Sequence, residues 1–244
     1  MRDYLVFRLY GPMAAWGDIA VGEYRPSFAH PSKSAIIGLL AAALGIRRDE
    51  EDRQKSLADA CSYAVRADSL GVMLRDYHTT ETPRGECFMT RRQEILSVQE
   101  QKRSGKKFEG TILSKRDYRC DAVYTVAIGI REGGSVNAQQ LAEALRKPVF
   151  TLYLGRKSCP LAIPLDPRVI PAGTVKEAMG QCDKPKGDLE TLLRQKSCAV
   201  FWEGDHGGYP PEQVITRRDM PLSRTRWQFA DRKENFATVQ KKEG

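Results

Sequence analysis

No stretch of this sequence is apolar for long enough to cross a bilayer, and its opening residues, MRDYLVFRLY, lack the apolar core of a secretory signal. The expectation is a cytoplasmic chain with no membrane role. Cysteine is sparse and scattered. The six at positions 61, 87, 120, 159, 182 and 198 form no C-x-x-C pair, which argues against a zinc knuckle and against a disulfide framework. Histidine is scarcer still: His30, His78 and His206 stand in none of the spacings of a zinc enzyme, so no metal is expected. The chain also lacks a G-x-x-x-x-G-K-[ST] loop, a dinucleotide fingerprint and a G-x-S-x-G elbow, so no cofactor is expected either.

What is present is cationic. Lys and Arg number 39 against 31 Asp and Glu, a formal charge of +8, which points to a polyanionic partner. With 244 residues and 41% hydrophobic content the chain can bury a substantial core, as one large domain or two small ones.

The stretch from Phe28 to Ile46, FAHPSKSAIIGLLAAALGI, organises the rest. Ser32 suits an N-cap and Gly45 a left-handed closing position. Ile36, Ile37, Leu39, Leu40 and Leu44 cover every face between them, which predicts a buried helix. Gly38 and Ala41 to Ala43 would let it lie close against a sheet. Free N–H groups at its mouth, together with Arg25, His30, Ser32, Lys33 and Ser34, suit a phosphate.

Strands are predicted at Tyr4 to Tyr10, Tyr63 to Ala67, Gly71 to Tyr77, Ala122 to Ile130 and Val149 to Leu154. Asn137 caps a helix reading AQQLAEALRK. This order is that of a ferredoxin-like or RNA-recognition-motif fold, βαββαβ, in the α+β class. Beyond Pro160 the chain is turn-rich, with a strand at Cys198 to Trp202 and a partner for it at Gln213 to Arg217. The expected division is residues 1–165 as one domain and 166–244 as a small β-rich extension.

From Thr80 to Arg119 apolar residues thin out and no period holds. Seven cations face two acids between Gln101 and Cys120, among them Lys106, Lys107, Lys115 and Arg116. Phe88, Phe108 and Tyr118 interrupt the charges. Two readings stay open: a mobile solvated insertion, or a surface that tracks an RNA strand. Trp16, in the loop after the first strand, is either a lid over the core or a stacking surface for a base. A metal-free ribonuclease needs a general base, a general acid and a cation, roles that Tyr77, His78 and Lys115 could fill if the insertion folds back. The plainer reading makes His78 a structural or RNA-contacting residue.

Five blocks in order carry a family resemblance. They are FRLYGPMAAWG (Phe7 to Gly17), RPSFAHPSKSAIIGLLAAALGI (Arg25 to Ile46), LRDYHTT (Leu74 to Thr80), YRCDAVYTVA (Tyr118 to Ala127) and KPVFTLYLGRKSCPLAIPL (Lys147 to Leu165). The series resembles the CasD-type subunits of type I-E CRISPR Cascade complexes, within the RAMP superfamily. The resemblance implies a modified RNA-recognition-motif domain with a long basic β-thumb, at residues 79–116 here. It implies a non-catalytic role in antiviral defence: binding the crRNA 5′ handle and capping that end of the complex. The implied partners are the crRNA, the Cascade backbone subunit and the Cascade large subunit, with target DNA reached through the complex. A sister family that cuts pre-crRNA keeps a metal-independent endoribonuclease as the alternative. Carried onto this sequence, Arg25, His30, Ser32, Lys33, Ser34, Arg156, Lys157 and Ser158 would hold handle phosphates and bases. Trp16, Tyr77 and His78 would stack, and the thumb would press between the handle and the first spacer nucleotides.

Overall fold

Leu5, Phe7 and Leu9 alternate with Tyr4, Val6 and Arg8 along the first strand, so one strand can feed two separate cores. It does. The computed structural model describes residues 1–20, 22–81, 90–105, 111–131, 133–182, 188–193 and 196–240. In chain order the elements are β1 (Arg2–Tyr10), β2 (Met13–Ala14), β3 (Tyr24–Arg25), α1 (Lys33–Ala43), α2 (Glu51–Ala60), β4 (Cys61–Ser69) and β5 (Val72–Glu81). Then come α3 (Arg91–Arg103), β6 (Thr111–Cys120), β7 (Val123–Ile130), α4 (Ala138–Arg146), β8 (Arg168–Ala172) and α5 (Val175–Gly180). The chain ends with α6 (Asp188–Thr191), β9 (Ser197–Trp202), β10 (Gln213–Ser223) and β11 (Gln228–Gln240). Among the described residues no helix is long and apolar enough to cross a membrane.

Seven strands form one antiparallel sheet in the order β10-β11-β9-β4-β7-β1-β8. The odd residues of β1 meet α1 and α4 on one face of it, in a core that includes Trp16, Ile36, Leu40, Tyr63, Tyr124 and Leu141. The even residues Tyr4 and Val6 meet α5 on the other face, with Val175, Met179 and Trp202.

Helix α1 is buried on nearly every side, as its composition predicts. Ser32 caps it by accepting from the Ala35 N–H at 3.1 Å. Gly45 takes φ +74 after the last turn, while the N–H groups of Gly45 and Ile46 return to the carbonyls of Ala42 and Ala41. These paired returns satisfy carbonyls that a helix end otherwise leaves open. At Gly38 the guanidinium of Arg224, in the turn between β10 and β11, lies 3.3 Å from where a Cβ would stand. Asn137 and Gln140 form a reciprocal capping box at the start of α4.

Two expectations are corrected. Val149 to Leu154 is not a strand. The N–H groups of Val149 and Phe150 donate to Ala43 and Ala42 at the C-terminus of α1, and only Tyr153 makes an isolated bridge, to Pro160. Pro148 and Gly155 bracket the segment, and the open helix carbonyls claim its donors first; the strand after α4 is β8. Second, β10 pairs with β11 and not with β9, which lies between β4 and β11 in the main sheet. Among the described residues of the polar insertion, β5 runs to Glu81, β6 begins at Thr111, and α3 lies between them.

Candidate nucleic-acid interface

Strand β6 is the spine of a second, four-stranded sheet. All ten of its residues pair with β5, from Val72 opposite Cys120 to Glu81 opposite Thr111. On its other edge Met13 and Ala14 of β2 pair with Cys120 and Arg119, and Tyr24 and Arg25 of β3 run parallel to Lys115 and Arg116. A two-stranded ribbon is marginal in water by itself, and a side-chain knot fastens this one to the loop carrying β3. Asp117, 1% exposed, accepts from the Tyr24 hydroxyl and from Arg75 at 2.8 and 3.2 Å. The Arg75 guanidinium sits 5.0 Å over the Tyr24 ring. The hydrogen bond from Arg75 holds the Asp117 carboxyl below its usual range, and the bond to Asp117 raises the Tyr24 phenol.

Because side chains alternate across a strand, the ribbon has two differently built faces. Arg116 and Tyr118 share one of them. Arg25 is the register partner of Arg116, and His78 lies opposite Ser114 on that side. Arg156 reaches across from the turn at residues 155–158, its guanidinium 4.7 Å over the Tyr118 ring and 3.4 Å from the Arg25 carbonyl. One of its amino nitrogens is buried with no hydrogen-bond partner among the described residues. Gly155 makes that approach possible: at φ +84, a Cβ on it would stand 1.9 Å from the Ala15 carbonyl oxygen. Lys157 and Ser158 are exposed beside Arg156. Asp76, opposite Arg116, is the acid on this face, 4.0 Å from His78. On the reverse face Lys115 lies 5.4 Å over the ring of Tyr77, which is 64% exposed.

The structure therefore brings together Arg25, His78, Arg116, Arg156, Lys157 and Ser158, with Lys115 and Tyr77 behind them. Lys106 and Lys107 lie outside the described residues. Tyr77, His78 and Lys115 do not converge as a ribonuclease would require, because His78 faces away from the other two.

The mouth of α1 is the principal correction. Lys33 is 3% exposed: its backbone N–H donates to Asp219 at 2.8 Å, and its ammonium meets Glu203 at 2.9 Å. His30 is fully buried, stacked on Phe201 at 3.8 Å and 3.2 Å from the Glu234 carboxylate, though off-line for a hydrogen bond. Arg232 ties Asp219, Glu234 and Glu203 together. Burial pushes the Glu234 carboxyl up, but the His30 imidazole and the Arg232 guanidinium outweigh it and hold it down at about 2. Ser32 is spent on its cap, and its hydroxyl lies 3.0 Å from that of Ser34. The positive helix end is answered by the protein's own carboxylates. Trp16 is also core, 1% exposed and edge-on to Tyr124 at 5.6 Å. Trp16, His30 and Lys33 are thus all closed off from solvent in the folded chain.

Against known proteins, the family model described as CRISPR-associated protein (Cas_Cas5) matches residues 4–233. The chain belongs to the CRISPR-associated Cas5 family. It is 34% identical over 240 residues to the CRISPR system Cascade subunit CasD of Escherichia coli strain K12, covering 95% of this chain and 94% of that one. A structure titled as a CRISPR RNA-guided surveillance complex superposes with a TM-score of 0.66 at 26% identity, covering 97% of this chain and 90% of that one. A Cas protein crystal structure gives 0.59 at 25% identity, covering 97% and 95%.

The five sequence blocks that carry the resemblance stop at Leu165, whereas the Cas5 match continues into β11. Sequence reasoning missed the Tyr24–Arg75–Asp117 knot and the seat that Tyr118 gives Arg156. The alternation of Lys115, Asp117 and Arg119 against Arg116 and Tyr118 in this Cas5 chain was the available signal, masked by a reading of the insertion as irregular.

Proposed function

We propose that this chain is the non-catalytic RNA-binding subunit of a CRISPR Cascade surveillance complex, which binds the crRNA 5′ handle and caps that end of the assembly. The observation that carries the reading is the cationic face of the ribbon. Arg25, Arg116, Arg156 and Lys157 gather there around Tyr118, and Asp76 is the acid among them. Cations without protein counter-charges suit phosphates, and the exposed Tyr77 and His78 suit unstacked bases, the form in which single-stranded RNA is read. In this reading the four strands β8-β1-β7-β4 are a modified RNA-recognition-motif unit and the ribbon with α3 is its thumb. The thumb presses between the handle and the first spacer nucleotides. The backbone and large subunits of Cascade are the protein partners, and target DNA is reached through them.

The test is incubation of the purified chain with labelled repeat RNA in EDTA, followed by native and denaturing gels. Intact RNA with a shifted native band is expected. A discrete product at one position would instead make the chain a pre-crRNA endoribonuclease. Arg25→Ala with Arg116→Ala should weaken binding most at low salt and flatten the log–log salt slope by about 1.4, two phosphates' worth for a single strand. The melting temperature should not change, because neither side chain has a buried partner.

A further inference from the structure

The sheet end remote from the ribbon carries a cavity of about 430 Å³ that the RNA surface does not use. Strand register fixes the separation: Tyr4 pairs with Gly129 at one end of β1, while Tyr10 pairs with Val123 at the other, just after β6 ends at Cys120. Arg2 and Tyr4 of β1, Gly129 of β7, Arg131 and the turn at residues 203–206 line the cavity.

Its chemistry is donor-rich. Tyr4 is 1% exposed, and its hydroxyl has no hydrogen-bond partner among the described residues. Burial pushes that phenol up, with Arg2 pulling it partly back, so it is a protonated donor at neutral pH. Arg2 lies 6.0 Å over the Tyr4 ring, and neither its guanidinium nor that of Arg131 forms an ion pair or hydrogen bond among the described residues. The carboxylate of Glu203 is already taken by Lys33, Arg232 and the Tyr63 N–H. Asp205 and His206 stand at the solvent edge. A cleft of this size holds a small ligand, and guanidinium forks match phosphate geometry.

We propose that this cavity binds a small phosphomonoester, of the class of a nucleoside monophosphate, with Arg2 and Arg131 on the phosphate and the Tyr4 hydroxyl donating to it. The body of the ligand lies against Val175 and Ala127, which line the cavity with Ser62 and Tyr63.

Calorimetric titration of the purified chain with AMP, inorganic phosphate and adenosine tests this. AMP should bind saturably at millimolar concentration, phosphate more weakly, and adenosine not at all. No saturable AMP binding, or adenosine matching AMP, overturns the proposal; phosphate binding with AMP excluded overturns the monoester. Arg2→Ala with Arg131→Ala should weaken AMP by roughly tenfold or more while leaving repeat-RNA affinity unchanged. Loss of RNA affinity in that variant would merge the cavity with the RNA surface and end its separate assignment. Tyr4→Phe removes an unpartnered hydroxyl, so the free protein should melt no lower while AMP binds several-fold more weakly. A Tyr4→Phe protein that melts lower and binds AMP as the wild type does would make the hydroxyl structural.

Discussion

The mouth of α1 and the face of the β5–β6 ribbon are built from the same residue types, and they have opposite fates. At the helix mouth Lys33 and His30 are buried and answered by Glu203, Asp219 and Glu234. On the ribbon Arg25 is exposed and Arg116 and Arg156 half-exposed, and Arg156 leans on an aromatic ring instead of a carboxylate. A cation's meaning is thus set by which acids fold against it. Those acids can come from far away: Asp219 and Lys33 are 186 positions apart.

The contrast can be broken by experiment. Arg232→Ala has the largest expected effect, since it leaves three buried carboxylates short of a counter-charge. Stability to urea should fall by roughly 3–5 kcal/mol, while RNA affinity of the folded fraction holds. Loss of RNA affinity with unchanged stability would invert the comparison. Acid should probe the same cluster. Glu234 is held at about 2, below the ordinary carboxylate value of 4.5. Its contribution is therefore complete above the unfolded value and is lost as pH falls through about 2. Removing the charge with Glu234→Gln should lower stability at neutral pH and shrink the acid-dependent fall over that window, as read by circular dichroism.

Tyr77→Ala should act only on the ribbon side, weakening single-stranded RNA binding by about 1–3 kcal/mol with the melting temperature unmoved. The smallest effect belongs to Ser32→Ala. Loss of its cap should cost about 1 kcal/mol of stability and nothing in RNA affinity. A drop in affinity would return the helix mouth to the RNA surface.

The elements legible in the sequence are those set by neighbours along the chain. The cap at Ser32, the close at Gly45, the box at Asn137 and the alternation of β1 and β7 all depend on residues a few positions apart. Val149 to Leu154 has a strand's composition, yet the open carbonyls of α1, over a hundred residues earlier, take its donors. The place of β9 beside β4 is likewise a long-range pairing that no local pattern encodes. For the site, the cations of the ribbon were legible as a basic run. Which of the chain's cations stay unanswered was not, because that depends on the fold of β10 and β11.

The closure of α1 by Asp219 also sets an order of events during synthesis. The helix leaves the ribosome long before these carboxylates do: Lys33 waits for Glu203 after β9 and Asp219 in β10, and His30 waits for Glu234 in β11. A chain broken before β10 would keep its cationic ribbon while its central helix stayed open at one end. The last hairpin therefore completes the central helix from the far end of the chain: only once β11 is translated are all three carboxylates in place against Lys33 and His30.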